Sequence, residues 1–369
     1  MAPGGAKLWG FRRSSTLAVA VLLVIVAITG YLAARAGPTR MRAALADRPQ
    51  ATAAPQATGA PQARLGSTPA NPAHPETPAP SATPAPIATP APAARSPLST
   101  SWLATHGQPA FDVKAQAAAL VDVDTGQVLW ARDPDTPRSP ASLSKLVTAM
   151  VVMDMASLDQ QIPVTPAGDV QAAQHEQPAS TVMGLQAGEV LTVRELLYGL
   201  FLVSGNDAAD TLAVGTAGMS GFIDLMNRKA AALGMTHSHF TSPAGGVDDP
   251  GLHTSAADIA VAAANIVSHY PALLQISGTP HMALPQTATH HPYDLENINR
   301  VVDPGQQYYY AGATGMKTAF TNGAGPCQVE TAQRGQRRLV VALMHTDNAL
   351  TGFENARGLL DYGFSVNPG

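Results

Sequence analysis

The hydrophobic pattern of this chain changes character three times, and each change predicts a different kind of element. From Ser14 to Ala34 no residue is charged, and the run TLAVAVLLVIVAITGYLAA is long enough to cross a bilayer core of about 30 Å. From about Ala51 to Pro97 the pattern disappears into Ala, Pro, Thr, Ser and Gln, a composition that cannot bury enough apolar surface to fold. Beyond about Trp102 the texture is that of a globular domain. AQAAALVDVDTGQVLWARD holds two short apolar runs around Asp124-Thr125-Gly126, a hairpin signal. Leu143, Leu146, Val147, Met150 and Val151 recur at helical spacing behind Pro140, so PASLSKLVTAMVVMD reads as a helix with one face buried.

A capping box, Thr192 to Glu195, opens a helix whose apolar run stops at Ser204-Gly205-Asn206, and a second helix starts around Asp207. Helices are expected from Ser220 to Leu233, closed by Gly234, and from Ser255 to Val267, capped by Thr254. GATGMKTAFT, PCQVETAQ and RRLVVALMHT read as three strands, the last two joined by a tight RGQ turn, and TGFENARGLLDYGF as a closing helix. Strands at both ends with helices between them predict an α/β domain of the α+β type: one sheet made from the two ends, flanked by a helical insertion.

Composition adds organisation and exclusions. Of 369 residues, 22 are Lys or Arg and 26 Asp or Glu, a net charge of -4 that offers no electrostatic grip on nucleic acid. The single cysteine, Cys327, excludes an internal disulfide and a cysteine-based zinc site, and its place in an apolar strand marks it as a core residue. Residues 1–36 are read as a cytoplasmic tail plus a transmembrane anchor or signal peptide, 37–101 as a Pro/Ala/Thr-rich stalk, and 102–369 as the folded domain. Lys7, Arg12 and Arg13 precede the apolar run and Arg35, Arg40 and Arg42 follow it, so charge alone does not orient it. Ala34-Arg35-Ala36 has the small residues of a cleavage site, but the run exceeds the usual signal core, which favours an uncleaved anchor with the domain outside the cytoplasm. The stalk would extend at about 3.1 Å per residue, a reach on the order of 100 Å. The chain ends shortly after Phe364, which points to attachment through the N-terminal run.

Three polar landmarks interrupt the apolar pattern. Ser142 and Lys145 stand three apart at the front of a buried helix, placing a hydroxyl beside an amine, the pairing of a nucleophile with its base. Taken alone, Ser142 could equally be a helix cap and Lys145 a solvated first-turn residue. Ser204-Gly205-Asn206 is a polar tripeptide between two buried helices. Lys317-Thr318 falls in the middle of an apolar strand, where a lysine is costly unless its ammonium finds a partner; the alternative is an edge lysine that guards against aggregation.

S-x-x-K, S-x-N and K-T in this order resemble the motifs of the penicilloyl-serine enzymes. Ser142-Leu143-Ser144-Lys145, Ser204-Gly205-Asn206 and Lys317-Thr318-Ala319, with DTGQVLW, SPASLSKLVTAMV and LGMTHSHFTSPAGG around them, resemble the low-molecular-mass D-alanyl-D-alanine carboxypeptidases from about Phe111 to Phe364. The resemblance implies a five-stranded antiparallel sheet flanked by helices, with a helical subdomain and an active site in the groove between them. It implies that Ser142 attacks the terminal D-Ala-D-Ala bond of a peptidoglycan stem peptide and is acylated by β-lactams. Lys145 would take the serine's proton as a neutral amine, its pKa lowered by burial and by a second cation, Lys317. Ser204 would pass the proton to the leaving D-alanine, and Asn206 would orient Lys145 and the substrate amide. Lys317 and Thr318 would hold the substrate carboxylate, beside Ala319. The backbone N–H groups of Ser142 and Phe320 would form an oxyanion hole, worth about 3 to 4 kcal/mol per donor. No metal and no cofactor is implied.

One position departs from the pattern: Ala319 occupies the place of the family's glycine, beside the substrate. An added methyl there costs about 1 to 3 kcal/mol, a rate loss of roughly tenfold to a few hundredfold. It leaves a catalytically weakened wall protein as the alternative. A class A β-lactamase is disfavoured because no glutamate occurs between Asn206 and Leu295 to deacylate the enzyme. His237 and His239 form an H-x-H and His290-His291 an adjacent pair, but neither has the company of a catalytic zinc site. His239 falls where the family carries a structural histidine, and the others are expected at the surface or in loops.

Overall fold

The structure is a computed structural model that describes residues 98–366, except 104–107, 110, 177–179 and 247. The apolar run near the N-terminus and the Pro/Ala/Thr-rich segment up to Pro97 lie outside the described residues. Among those described, no single helix is long and apolar enough to cross a membrane.

The expected hairpin is formed by β1 (Ala115–Asp122) and β2 (Val128–Arg132), turned by Gly126 at φ 73°. The chain's last strands are β7 (Ala313–Thr321), β8 (Gly325–Arg334) and β9 (Arg337–Thr346). β1 pairs antiparallel with β9, with Leu120 opposite Val341, so both ends of the domain close one antiparallel sheet of order β2-β1-β9-β8-β7. Alternation along the strands divides the core. Ala117, Ala119, Val329 and Ala342 face one apolar cluster, while Ala118, Leu120, Val341 and Leu343 face another. Both faces are therefore dry, which is why LVVALM carries no polar alternation.

The first cluster is filled by helices α1 (Lys145–Met155), α2 (Val170–Glu176), α3 (Val193–Leu202), α4 (Asn206–Ala217), α5 (Met219–Ala232), α6 (Ala256–His269) and α7 (Pro271–Ser277). The second is covered by α8 (Ala349–Ser365) through Phe353, Ala356, Leu359 and Leu360. Two small ribbons complete the domain: β3 (Gln161–Pro163) with β4 (Val190–Thr192), and β5 (His281–Leu284) with β6 (Tyr293–Glu296). α2, α7 and these short strands were not legible in the pattern, because three to seven residues hold too little periodicity.

The capping box is closed at both ends: Thr192 Oγ1 accepts from Glu195 N at 3.2 Å and Glu195 Oε2 accepts from Thr192 N at 2.7 Å. The expected cap of α6 is corrected by one residue. Ser255 accepts from Asp258 N at 3.1 Å, while Thr254 is buried with its hydroxyl 2.7 Å from Ser238 Oγ. Ser99 donates to Gly126 O at 3.0 Å and accepts from Val128 N at 2.8 Å, so folded contacts begin inside the segment read as stalk. His290 lies in a loop, as expected, but is buried there, its Nδ1 2.7 Å from His291 O. His239 is exposed and stays 3.0 Å from Gly251 O. Among the described residues no group of three or more His, Cys, Asp or Glu side chains is arranged to hold a metal ion.

Candidate active site

The front of the predicted helix is a separate turn. Ala141–Ser144 form one 3-10 turn, entered through Ala141 at φ 47°, and the α-helix proper starts at Lys145. Ser142 caps nothing: neither end of this turn carries a side-chain cap. Lys145 is fully buried, and its Nζ lies 3.0 Å from Ser142 Oγ, 2.7 Å from Asn206 Oδ1 and 2.8 Å from Ala244 O. As an ammonium it fills all three donors. As a neutral amine it keeps two N–H bonds to the carbonyl oxygens and turns its lone pair to the serine hydroxyl.

Ala244 is placed by the segment that resembles the family in LGMTHSHFTSPAGG. Thr148 Oγ1 donates to Pro243 O at 2.7 Å, tying this loop to α1. Gly245 has φ +67°, and a Cβ there would stand 2.1 Å from Ala141 O. Any side chain would therefore lift the loop from the serine turn and take the Ala244 carbonyl with it.

The second landmark is held as tightly. Ser204 adopts φ 59°, a left-handed conformation rare outside glycine. Its carbonyl accepts from Thr181 Oγ1 at 2.9 Å, and Asn206 N donates to Thr181 O at 2.9 Å. Asp207, fully buried, accepts from the backbone N–H groups of Met183 (2.8 Å), Gly184 (2.7 Å), Leu185 (3.0 Å) and Ala208 (2.9 Å). A Cβ at Gly205 would lie 2.9 Å from Asp207 Oδ1 and 3.0 Å from Met183 N, so the middle residue of S-G-N is glycine for space. Thr181 and Asp207 were missed in the sequence. An aspartate in a first helical turn is too common a stabiliser to stand out.

β7, an edge strand, supplies the facing wall. Thr318, Ala319 and Phe320 line one cavity of about 340 Å³ together with Ser142, Ser204 and Asn206. Phe320 is 63% exposed. Ser204 lines the cavity without a hydrogen bond to Ser142 or Lys145. Ala319 stands opposite Cys327, which is buried as expected and also lines the cavity; burial pushes its thiol up to about 11. Lys317 departs from expectation. It is 1% exposed, which removes the edge-lysine alternative, and its Nζ donates to Thr318 O at 2.6 Å while its side chain is not among the residues that line the cavity.

The charges follow from burial. Desolvation lowers the Lys145 amine to about 7, against the upward pull of Asp210 and Asp207. Desolvation likewise raises Asp210 to about 7, helped by Glu176 and opposed by Lys145. Lys317, expected to depress Lys145, is itself held well below the ordinary range of lysine, first by burial and then by the charge of Lys145, with Glu330 opposing. Glu330 is a buried carboxyl on β8 that no sequence signal singled out; burial raises it well above the usual carboxylate range, and Asn299 Nδ2 donates to it at 2.7 Å. Burial is the leading cause of the lowered pKa at both lysines, and the charges of Lys145 and Lys317 oppose each other.

The family model described as D-alanyl-D-alanine carboxypeptidase, peptidase S11, matches residues 103–348. The chain is 36% identical over 267 residues to D-alanyl-D-alanine carboxypeptidase DacB2 of Mycobacterium tuberculosis, covering 70% of this chain and 86% of that relative. It is 34% identical over 257 residues to DacD of Escherichia coli, but spans only 63% of that protein against 68% of its own length. Among solved structures, a D-alanyl-D-alanine carboxypeptidase from Mycobacterium tuberculosis superposes with a TM-score of 0.62 at 34% identity, over 71% of this chain and 97% of the other. Penicillin-binding protein D2 of Listeria monocytogenes, solved in its ampicillin-bound form, gives 0.58 at 28% identity, over 70% and 100%. With the matched region carrying S-x-x-K, S-G-N and K-T in one groove, the chain belongs to the D-alanyl-D-alanine carboxypeptidase family.

Proposed function

We propose that this chain is a serine-type D-Ala-D-Ala carboxypeptidase that removes the terminal D-alanine of peptidoglycan stem peptides through an acyl-enzyme on Ser142. The observation that carries this reading is the buried amine of Lys145, within 3.0 Å of Ser142 Oγ and bonded to Asn206 and Ala244 by its other donors. With its pKa near 7, an appreciable fraction is neutral at neutral pH. The neutral amine accepts the Ser142 proton as the oxygen attacks the carbonyl carbon of the penultimate D-alanine. The developing oxyanion is received by the N–H groups of Ser142 and Phe320. The C–N bond breaks, Ser204 relays the proton to the departing D-alanine, and water attacks the ester to regenerate Ser142. β-Lactams enter by the same attack and remain as the ester.

The N-terminal apolar run would anchor the chain in the cell membrane, and the Pro/Ala/Thr-rich segment would hold the domain away from it, outside the cytoplasm where the wall peptide is. The test uses the full chain in detergent: labelling with a fluorescent penicillin, beside Ser142→Ala, with the adduct located by mass spectrometry and D-alanine release measured on a stem pentapeptide. A label on Ser142 that the variant lacks, together with D-alanine release, is the expected result. Folded protein that takes no label, yet gains it on Ala319→Gly, would replace this reading with that of a wall protein whose chemistry has lapsed.

A further inference from the structure

Six large apolar side chains stand exposed among the described residues, and three of them line the catalytic cavity: Ile298, Phe320 and Leu350, at 43%, 63% and 44% exposure. One such side chain at a surface needs no explanation, but three around one cavity mark a binding surface. They come from separate elements, each fixed in place. Ile298 N donates to Leu202 O at 3.0 Å, which holds the loop after β6 to the end of α3. Phe320 is carried by β7. Leu350 stands in the first turn of α8, where Asn348 Oδ1 accepts from Thr351 N at 2.9 Å and Asn348 O accepts from Thr346 Oγ1 at 2.9 Å. A Cβ on Gly352 would lie 2.6 Å from Gln328 Oε1, so this turn is packed directly against β8.

The cavity joins these elements. Strand alternation puts Thr318 and Phe320 on one face of β7, and the register sets them opposite Gln328 and Pro326 of β8, which line the cavity too. From Ser142 the cavity therefore runs along β7 to α8, where Pro326, Ala349, Leu350 and Phe353 give it an apolar end.

We propose that this end is a subsite for an apolar side chain on the residue released, so that the chain prefers stem peptides ending in D-leucine, or another large apolar D-residue, to those ending in D-alanine. This rests on the function proposed above and names the substrate class. The side chain of the released residue is carried by the same carbon as its free carboxylate. A ligand whose carboxylate meets Thr318 holds that side chain next to Phe320 and toward Leu350. A methyl group covers little of this wall, whereas an isobutyl group takes both its own surface and that of the wall out of water. The chemistry is unchanged: the same C–N bond breaks, and the amine of the departing D-residue takes the proton.

The test measures kcat/KM for release of the last residue from diacetyl-L-lysyl-D-alanyl-D-alanine and from diacetyl-L-lysyl-D-alanyl-D-leucine, with the full chain in detergent. The parent should favour the D-leucine peptide by about 10-fold, the low end of what an apolar pocket discriminates. Leu350→Ser and Ile298→Ser, both at exposed positions, should each reduce that preference to about 3-fold or less by slowing D-leucine release, with D-alanine release and the thermal midpoint unchanged. Leu350→Met should keep it. A parent that releases D-leucine no faster than D-alanine, a preference that survives both serine substitutions, or an equal loss on the two peptides overturns the inference while the proposed function stands. A parent that releases neither residue overturns the function, and the inference falls with it.

Discussion

The two walls of the catalytic groove are built on opposite plans. The helical wall is closed: Lys145 is saturated by Ser142, Asn206 and Ala244, and Asp207 takes four backbone N–H groups. The strand wall is open: Phe320 is 63% exposed, and Thr318 and Ala319 face the cavity. A wall that moves a proton must be preorganised, because each misplaced donor raises the barrier. A wall that binds must leave groups unpaired until the ligand supplies their partners. Backbone strain sits on the first wall, at Ala141 (φ 47°) and Ser204 (φ 59°), where surrounding bonds can hold it.

The contrast can be broken most sharply at the nucleophile. Ser142→Ala should cut D-alanine release by about 10⁴-fold or more, measured as turnover of a stem pentapeptide, with the thermal midpoint nearly unchanged. Next in size is Asn206→Ala, which leaves the Lys145 amine one acceptor short; acylation by penicillin should slow by about 10- to 100-fold in stopped-flow labelling. On the open wall, Ala319→Gly removes the methyl beside the substrate and should speed acylation by about tenfold. A change that leaves the rate untouched would show that the groove already has room for it.

The pH profile sharpens the comparison without removing any reacting group. In the proposed mechanism the base is the neutral amine, so acylation should rise with pH through the Lys145 pKa near 7 and fall below it, where the ammonium prevails. Asp210 pulls that pKa upward. Withdrawing its charge in Asp210→Asn favours the neutral amine, so the rising limb should move toward lower pH, by on the order of one unit or less. A limb that moves the other way, or stays, would show that the acids on α4 do not set the base.

Much of the fold was legible because it is long and periodic. The hairpin, the β7–β9 meander, the capping box and the helices around S-G-N stand where the pattern puts them, and the three motifs name their own chemistry. The short elements α2, α7, β3, β4, β5 and β6 were not legible, and the cap of α6 moved from Thr254 to Ser255, since two adjacent hydroxyls look alike until the backbone aims one of them.

The sequence by itself determined the order of elements, because local periodicity is written along the chain, and its motif order, through the family resemblance, singled out Ser142, Lys145, Ser204, Asn206 and the Lys317–Phe320 strand as candidates. Only the tertiary structure decided how these groups are charged and which of them meet. Ala244, Thr181 and Asp207 reach the site by loop packing, and Lys317 turns its amine to the Thr318 carbonyl. Desolvation is a property of the assembled interior, so the candidate lysine could be singled out from its motif, but its pKa near 7 could come only from the fold that buries it.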